Sequence, residues 1–196
     1  MPRAKSFTRP EIAKAVLPHF WDRGFGGVSM DDIVTLTGIS RHALYAEVGG
    51  KHDLYLSAFE EYQQSVVSPA FQAVETDGGL LAIRAYFEHQ IARAEEMGLP
   101  GPGCLVGNAA IERAPHDEAI TALVDTHNKR LTKGFVHALN QCEDNTLTPG
   151  ERQHLAHYLT ISAQGLWSVS RTTKTSAPLY AFVETLMDLI EIRIRR

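Results

Sequence analysis

The sequence predicts an all-α fold: an N-terminal three-helix unit holding a helix-turn-helix, followed by a C-terminal helical bundle. Three observations carry this. Val, Ile and Thr nowhere alternate with polar residues over a strand-length run between turn signals, so no β-strand is expected. Breaks rich in turn-forming residues fall at 24–27, 38, 49–50, 77–79, 98–103, 114–115, 144–145 and 175–178, dividing the chain into about nine helical segments. Several of those segments open on capping residues and keep their apolar side chains on one face.

The first segment, about 9–23, starts at Thr8-Arg9-Pro10-Glu11, where a hydroxyl and a carboxylate can serve the free amides of the first turn. Ser29-Met30-Asp31-Asp32 repeats the pattern before 30–37 and puts two carboxylates near a positive helix end. Gly38 can take the left-handed conformation of a tight turn, and Ser40 caps 41–48. Segment 51–76 is longer, and Pro69, lacking an amide donor, is expected to kink it. Segments near 80–97, 104–113 and 117–143 follow. Thr148-Pro149-Gly150-Glu151 opens 149–172, and Ser176 is the expected cap of 178–194. In these last two, Leu155, Leu159, Leu166 and Val169, then Leu179, Phe182, Val183, Leu186, Leu189 and Ile190, recur at near-helical spacing. One side of each can face the core and the other a partner.

Composition narrows the function classes. The 196 residues are 44% apolar and 21% charged, as in a globular protein. No run approaches the ~18 apolar residues of a membrane helix, and Met1-Pro2-Arg3-Ala4-Lys5 precedes a charged helix pattern rather than an apolar signal segment. With Cys104 and Cys142 as the only cysteines, a disulfide framework is not expected, and the protein is read as cytoplasmic. A net charge of −4 argues against a polyanionic partner until the chain is divided. Residues 1–53 hold seven Lys and Arg against six Asp and Glu, with His19, His42 and His52 in addition; the remainder holds twelve against seventeen. The acidity belongs to the C-terminal part.

Residues 29–48 carry the function. Ile33, Val34 and Leu36 on the first short helix, with Leu44 and Val48 on the second, are expected to pack against Ile12, Val16 and Phe20. That leaves Arg41, His42, Ala43, Tyr45 and Ala46 exposed, and donor-bearing and small side chains of this kind suit a DNA major groove. Phe20 and Gly24-Phe25, then Ser29-Met30-Asp31-Asp32-Ile33, Gly38-Ile39-Ser40-Arg41-His42-Ala43-Leu44-Tyr45 and Lys51-His52-Asp53-Leu54, form an ordered set spanning nearly 50 residues. In this set the sequence resembles the TetR family of transcriptional regulators. The resemblance implies a DNA-binding domain over 6–66, with its helix-turn-helix at about 29–48, and an effector-binding and dimerisation domain over 67–196. It also assigns roles. Tyr45 and Lys51 are the implied phosphate contacts, Ser29 and Ser40 offer hydroxyl or helix-end amide contacts, and Arg41 and His42 face base edges.

No enzyme site is legible downstream. There is no phosphate-binding loop, and the glycine clusters lack the strand of a dinucleotide fingerprint. His154 and His157 have a permitted metal spacing without a third ligand and read as a solvated pair. Glu112 and His116 straddle Pro115 and do not form a one-face pair. No catalytic residue, metal or cofactor is assigned.

Inward candidates of the bundle are Tyr86, Phe87, Gln90, Cys104, Asn108, His127, Phe135, Tyr158, Gln164 and Trp167. The resemblance implies an effector pocket among them, for which Cys104, Asn108, Phe87, His127 and Trp167 are the expected contacts. Cys104 stands at a predicted helix N-terminus, where amides and dipole favour a thiolate. The run Gly-Cys-Leu-Val-Gly-Asn is similar to one in TetR-family repressors that respond to electrophiles or oxidants. The alternative is a small buried apolar side chain.

The expected function is a homodimeric repressor, paired through its two C-terminal helices, that binds a palindromic double-stranded DNA operator and is released by a small-molecule or electrophile effector. The alternatives are an activator of the same fold and a helical interaction module that binds no DNA.

Overall fold

The computed structural model describes residues 7–143 and 146–195. The basic stretch at 1–5, residue 6 at the expected domain start, the expected turn at 144–145 and Arg196 lie outside them. Among the described residues there are ten α-helices and no strand. They are α1 (Arg9–Arg23), α2 (Met30–Thr37), α3 (Arg41–Val48), α4 (Lys51–Tyr62), α5 (Ser68–Thr76), α6 (Gly79–Met97), α7 (Leu105–Glu112), α8 (Glu118–Asn140), α9 (Pro149–Ser170) and α10 (Ala177–Ile194).

Helix starts follow their chemistry. The Asp32 amide donates to Ser29 Oγ at 3.1 Å, and the Ser29 amide donates back to Asp32 Oδ2 at 2.7 Å. Thr148 and Glu151 form the same reciprocal pair at 3.3 and 2.9 Å. At Thr8 the return bond is made, from its amide to Glu11 Oε2 at 2.8 Å. Ser40 Oγ accepts from the Ala43 amide at 3.3 Å. Ser176 differs from expectation. Its backbone is already helical (φ −81°, ψ −13°), which turns its side chain away from the first-turn amides, and it makes no side-chain cap.

Segment 51–76 is helical throughout, and its one irregular turn precedes Pro69. A π-helical turn, Gln63–Val67, joins α4 to α5. Pro69 is the second residue of α5, directly after that π-helical turn. The expected domain boundary between residues 66 and 67 lies inside that turn.

In the N-terminal unit Ile12, Val16 and Phe20 of α1 meet Ile33, Leu44 and Val48, all essentially sealed from solvent. Leu36 is exposed, against expectation. Gly38 ends α2 two residues later, and Ile39 takes the inward place instead. In the bundle Phe87 stacks on Phe135 with centroids 5.9 Å apart, while Tyr86 meets both edge-on at 5.2 Å. Tyr158 is also exposed. Ala156, Leu159, Ala163 and Leu166 hold the inward face of α9, and a helical period leaves Tyr158 outside it. Tyr158, Ile161 and Val169 on α9, and Phe182, Leu189 and Ile192 on α10, form two exposed apolar stripes at helical spacing.

Candidate DNA-reading head and sensor cavity

The turn between α2 and α3 is set by Gly38, which adopts φ 68°, ψ 9° and donates its amide to Val34 O at 2.9 Å. Ile33 and Leu44 are fully buried, packing α2 against α1 and α3 against α2 and α4. This leaves the first turn of α3 outward. Arg41, His42 and Ala43 are exposed there, with Tyr45 and Ala46 one turn on, as the sequence predicts. Glu47 is exposed on the same helix and accepts from the Arg9 amide at 3.1 Å, tying α3 to the start of α1.

The predicted contact residues are not equally free. Tyr45 is 47% exposed. The Arg41 guanidinium is paired with Asp31 across the turn, and that carboxylate stabilises its charge. The Ser29 hydroxyl donates to Asp32 Oδ2 at 2.6 Å, and the Ser29 bonds hold the Asp32 carboxyl below its usual range. Lys51 is half-buried. Its Nζ lies 4.2 Å from the centre of the Phe25 ring, and desolvation lowers its pKa.

The bundle contains a cavity of about 220 Å³ between α7, α8 and α9. Cys104, Asn108 and Trp167 line it, with Val106, Val124 and Gln164 among its other walls. Cys104 and Trp167 also meet His127 in a smaller void beside it. Phe87 lines neither space; it belongs to the stacked core with Phe135. The Asn108 amide nitrogen donates to Pro102 O at 2.8 Å. Gln164 Nε2 donates to Asn128 Oδ1 at 3.2 Å and closes one side. A wider open groove of about 510 Å³ runs between α8 and α9.

Cys104 corrects the thiolate expectation. It is the N-cap of α7, but its side chain is buried, and burial raises the thiol pKa more than the nearby amides lower it. Tyr62 donates its hydroxyl to Cys104 Sγ at 3.6 Å. His127 is likewise kept neutral, its pKa lowered to about 4 by burial and then by Arg130. Apart from Arg171 at its edge, the cavity presents neutral groups.

Head and bundle meet at a polar junction. Glu112, the last residue of α7, accepts from the amides of Phe25 and Gly26 in the α1–α2 turn. Asp117 accepts from Arg113 at 3.1 Å and pairs with His52 Nε2 at 2.9 Å. Trp21 Nε1 donates to Gly103 O at 2.8 Å, and this bond is buried. Glu112, Arg113 and Asp117 are not distinguished by any sequence motif; their partners lie 65 to 87 residues away along the chain, apart from the local Arg113–Asp117 pair.

No family model matches the chain. It is 27% identical over 195 residues to YezE of Bacillus subtilis, an uncharacterized HTH-type transcriptional regulator, covering 97% of this chain and 100% of YezE. Its structure matches that of a TetR-family transcriptional regulator from Cytophaga hutchinsonii with a TM-score of 0.81 at 21% identity, over 93% and 92% of the two chains. It matches CifR, a TetR-family regulator solved as a cysteine mutant on 26-base-pair operator DNA, with a TM-score of 0.78 at 20% identity, over 96% and 98%. The fold is the TetR fold.

Within that fold the expected residues separate into two groups. Ser29, Ser40, Arg41, His42 and Tyr45 share the outer surface of α2 and α3, while Lys51 is drawn toward the junction. Cys104, Asn108, His127 and Trp167 gather around the cavity, and Phe87 does not. Among the described residues no three His, Cys, Asp or Glu side chains are placed to hold a metal, and no helix is long and apolar enough to cross a membrane.

Proposed function

We propose that this TetR-fold chain is a cytoplasmic, non-enzymatic regulator of transcription. It binds a palindromic double-stranded DNA operator as a homodimer, represses by occupying it, and leaves it when a small molecule fills the bundle cavity. Residues 6–66 read DNA and residues 67–196 sense and dimerise. The observation that carries this reading is the outward first turn of α3. There Arg41 and His42 stand exposed, with Tyr45 one turn on and alanines beside them, on a helix whose other face is buried through Leu44 and Val48.

The apolar stripes of α9 and α10 support the dimer, because exposed Ile161, Val169, Leu189 and Ile192 are best covered by a second copy of the same helices. A cavity walled by neutral groups supports an uncharged effector with a few hydrogen-bonding atoms. The raised thiol of Cys104 favours that effector over an electrophile.

The test is selection of binding sites from random double-stranded DNA by the full-length protein. Wild type enriches an inverted repeat, and Tyr45→Ala lowers affinity for it about tenfold, ~1.4 kcal/mol, with thermal stability retained. Selection that returns no common sequence refutes the DNA-reading role. Transcription assayed in vitro from a promoter carrying the selected repeat then gives the sign: repression by occupancy requires less transcript with protein than without.

A further inference from the structure

The geometry points to Glu112 as the residue that positions the reading head: its carboxylate, at the end of sensor helix α7, holds the α1–α2 turn and thereby sets the pose of α2 and α3 against the bundle. This inference rests on the DNA-binding, dimeric reading above.

Both carboxylate oxygens are engaged. Oε2 accepts from the Phe25 amide at 2.9 Å and Oε1 from the Gly26 amide at 2.6 Å. Amide bonds to an ionised acceptor are stronger than neutral ones. The turn is shaped around this carboxylate. Gly24 has φ +73°, and a Cβ there would stand 2.5 Å from Glu112 Oε2; one at Gly26 would stand 3.2 Å from Oε1. Phe25 between them is gripped as well. Lys51 lies over its ring at 4.2 Å, Arg113 at 4.5 Å, and Tyr55 meets its edge at 5.2 Å.

Two further facts make this a positioning contact rather than one surface bond among many. The helix-turn-helix begins three residues beyond Gly26, and Ile33 is the sole fully buried residue of α2, so few other contacts fix its angle. A dimer must present two heads to two half-sites at once, which leaves little tolerance in that angle. The same helix also faces the cavity. Gly107, Ala110 and Ile111 line it, and Glu112 is the next residue. A molecule seated there presses on a helix of eight residues whose far end is the latch. The junction also holds two buried donors without a partner, the Tyr55 hydroxyl and Arg113 Nε. Such groups are costly to leave unpaired.

The experiment uses full-length wild type, Glu112→Ala and Glu112→Gln. DNA selected by wild type is compared with the same repeat lengthened by one base pair between half-sites, and amide hydrogen exchange is followed at Phe25 and Gly26. In Glu112→Ala both amides are expected to exchange at least tenfold faster, while those of Leu54 and Phe59 keep their protection. Affinity for the selected operator falls at least tenfold, and the preference for correct spacing collapses. Glu112→Gln, which retains one acceptor oxygen, lies between. Released amides with affinity and spacing preference within twofold of wild type overturn the positioning role. Unchanged amide exchange overturns the latch itself. A wild type that selects no DNA overturns the DNA reading instead, while exchange at the two amides still decides the latch.

Discussion

Tyr45 and Tyr86 are the same side chain in opposite settings. Tyr45 stands on the outer face of α3 between Ala43 and Ala46, 47% exposed. Tyr86 is sealed in the bundle, edge-on to Phe71, Phe87 and Phe135. The N-terminal unit therefore leaves this large polar side chain half in solvent, whereas the bundle interlocks its rings. A surface that contributes little to its own stability is available to a partner. A core that interlocks gives the rigid body against which that surface is aimed.

The contrast is broken most strongly from the inside. Phe87→Ala removes a ring stacked on Phe135 and leaves a void, so a loss of about 3–5 kcal/mol is expected. In a chain of this size that lowers the melting temperature by roughly 10 °C, which calorimetry checks. Tyr45→Ala should leave that temperature in place, and equal losses in the two variants would show that the surface and core settings are not distinct.

Acid should act on the bundle next. His127 is held at about 4 against an ordinary 6.5, so between those values the unfolded chain binds a proton that the folded chain does not. Its contribution is full above about 6.5 and is lost as pH falls toward about 4. Glu151 is held at about 2 against 4.5 by the Thr148 amide and then by Arg193, and its contribution is lost over that lower range. Melting temperature followed from neutral to acid pH should show both losses. His127→Gln flattens the first and Glu151→Gln the second.

The smallest effect belongs to the head's own surface. Asp31→Asn unpairs Arg41 at a solvent-exposed site, where water screens the pair, and a shift of the denaturation midpoint too small to resolve is expected. Denaturant titration checks it. A larger loss would mean that the ion pair holds α2 to α3, and the outer face would then be more self-supporting than the comparison with Tyr86 implies.

Local chemistry was readable in advance. The starts at Ser29, Ser40 and Thr148 and the stop at Gly38 depend on neighbours within four residues. So did the outward set on α3, because helical period and the apolar positions Leu44 and Val48 determine which side is left over. What was not readable depends on distant partners. A thiol at a helix start looks activated until the fold buries it, as with Cys104. Glu112 gives no signal of its contact with the α1–α2 turn, since that contact exists only where α7 meets a turn 86 residues earlier. Leu36 and Tyr158 look like core residues by type and are turned outward by neighbours that fill the space first.

The π-helical turn at Gln63–Val67 has a consequence for how head and bundle are clocked. Along α4 the sealed positions run 54–55, 57–59 and 62; after the turn they resume at 67, 70–71 and 74. One residue is about 100° of rotation around a helix axis. A π-helical turn takes up one more residue than an α-helical one, and across it the packing partner changes from α1, against α4, to α6 and α8, against α5. Gln64 and Ser65 are exposed within it. The number of residues in that turn, more than their identity, sets how the buried face of α4 is phased against that of α5.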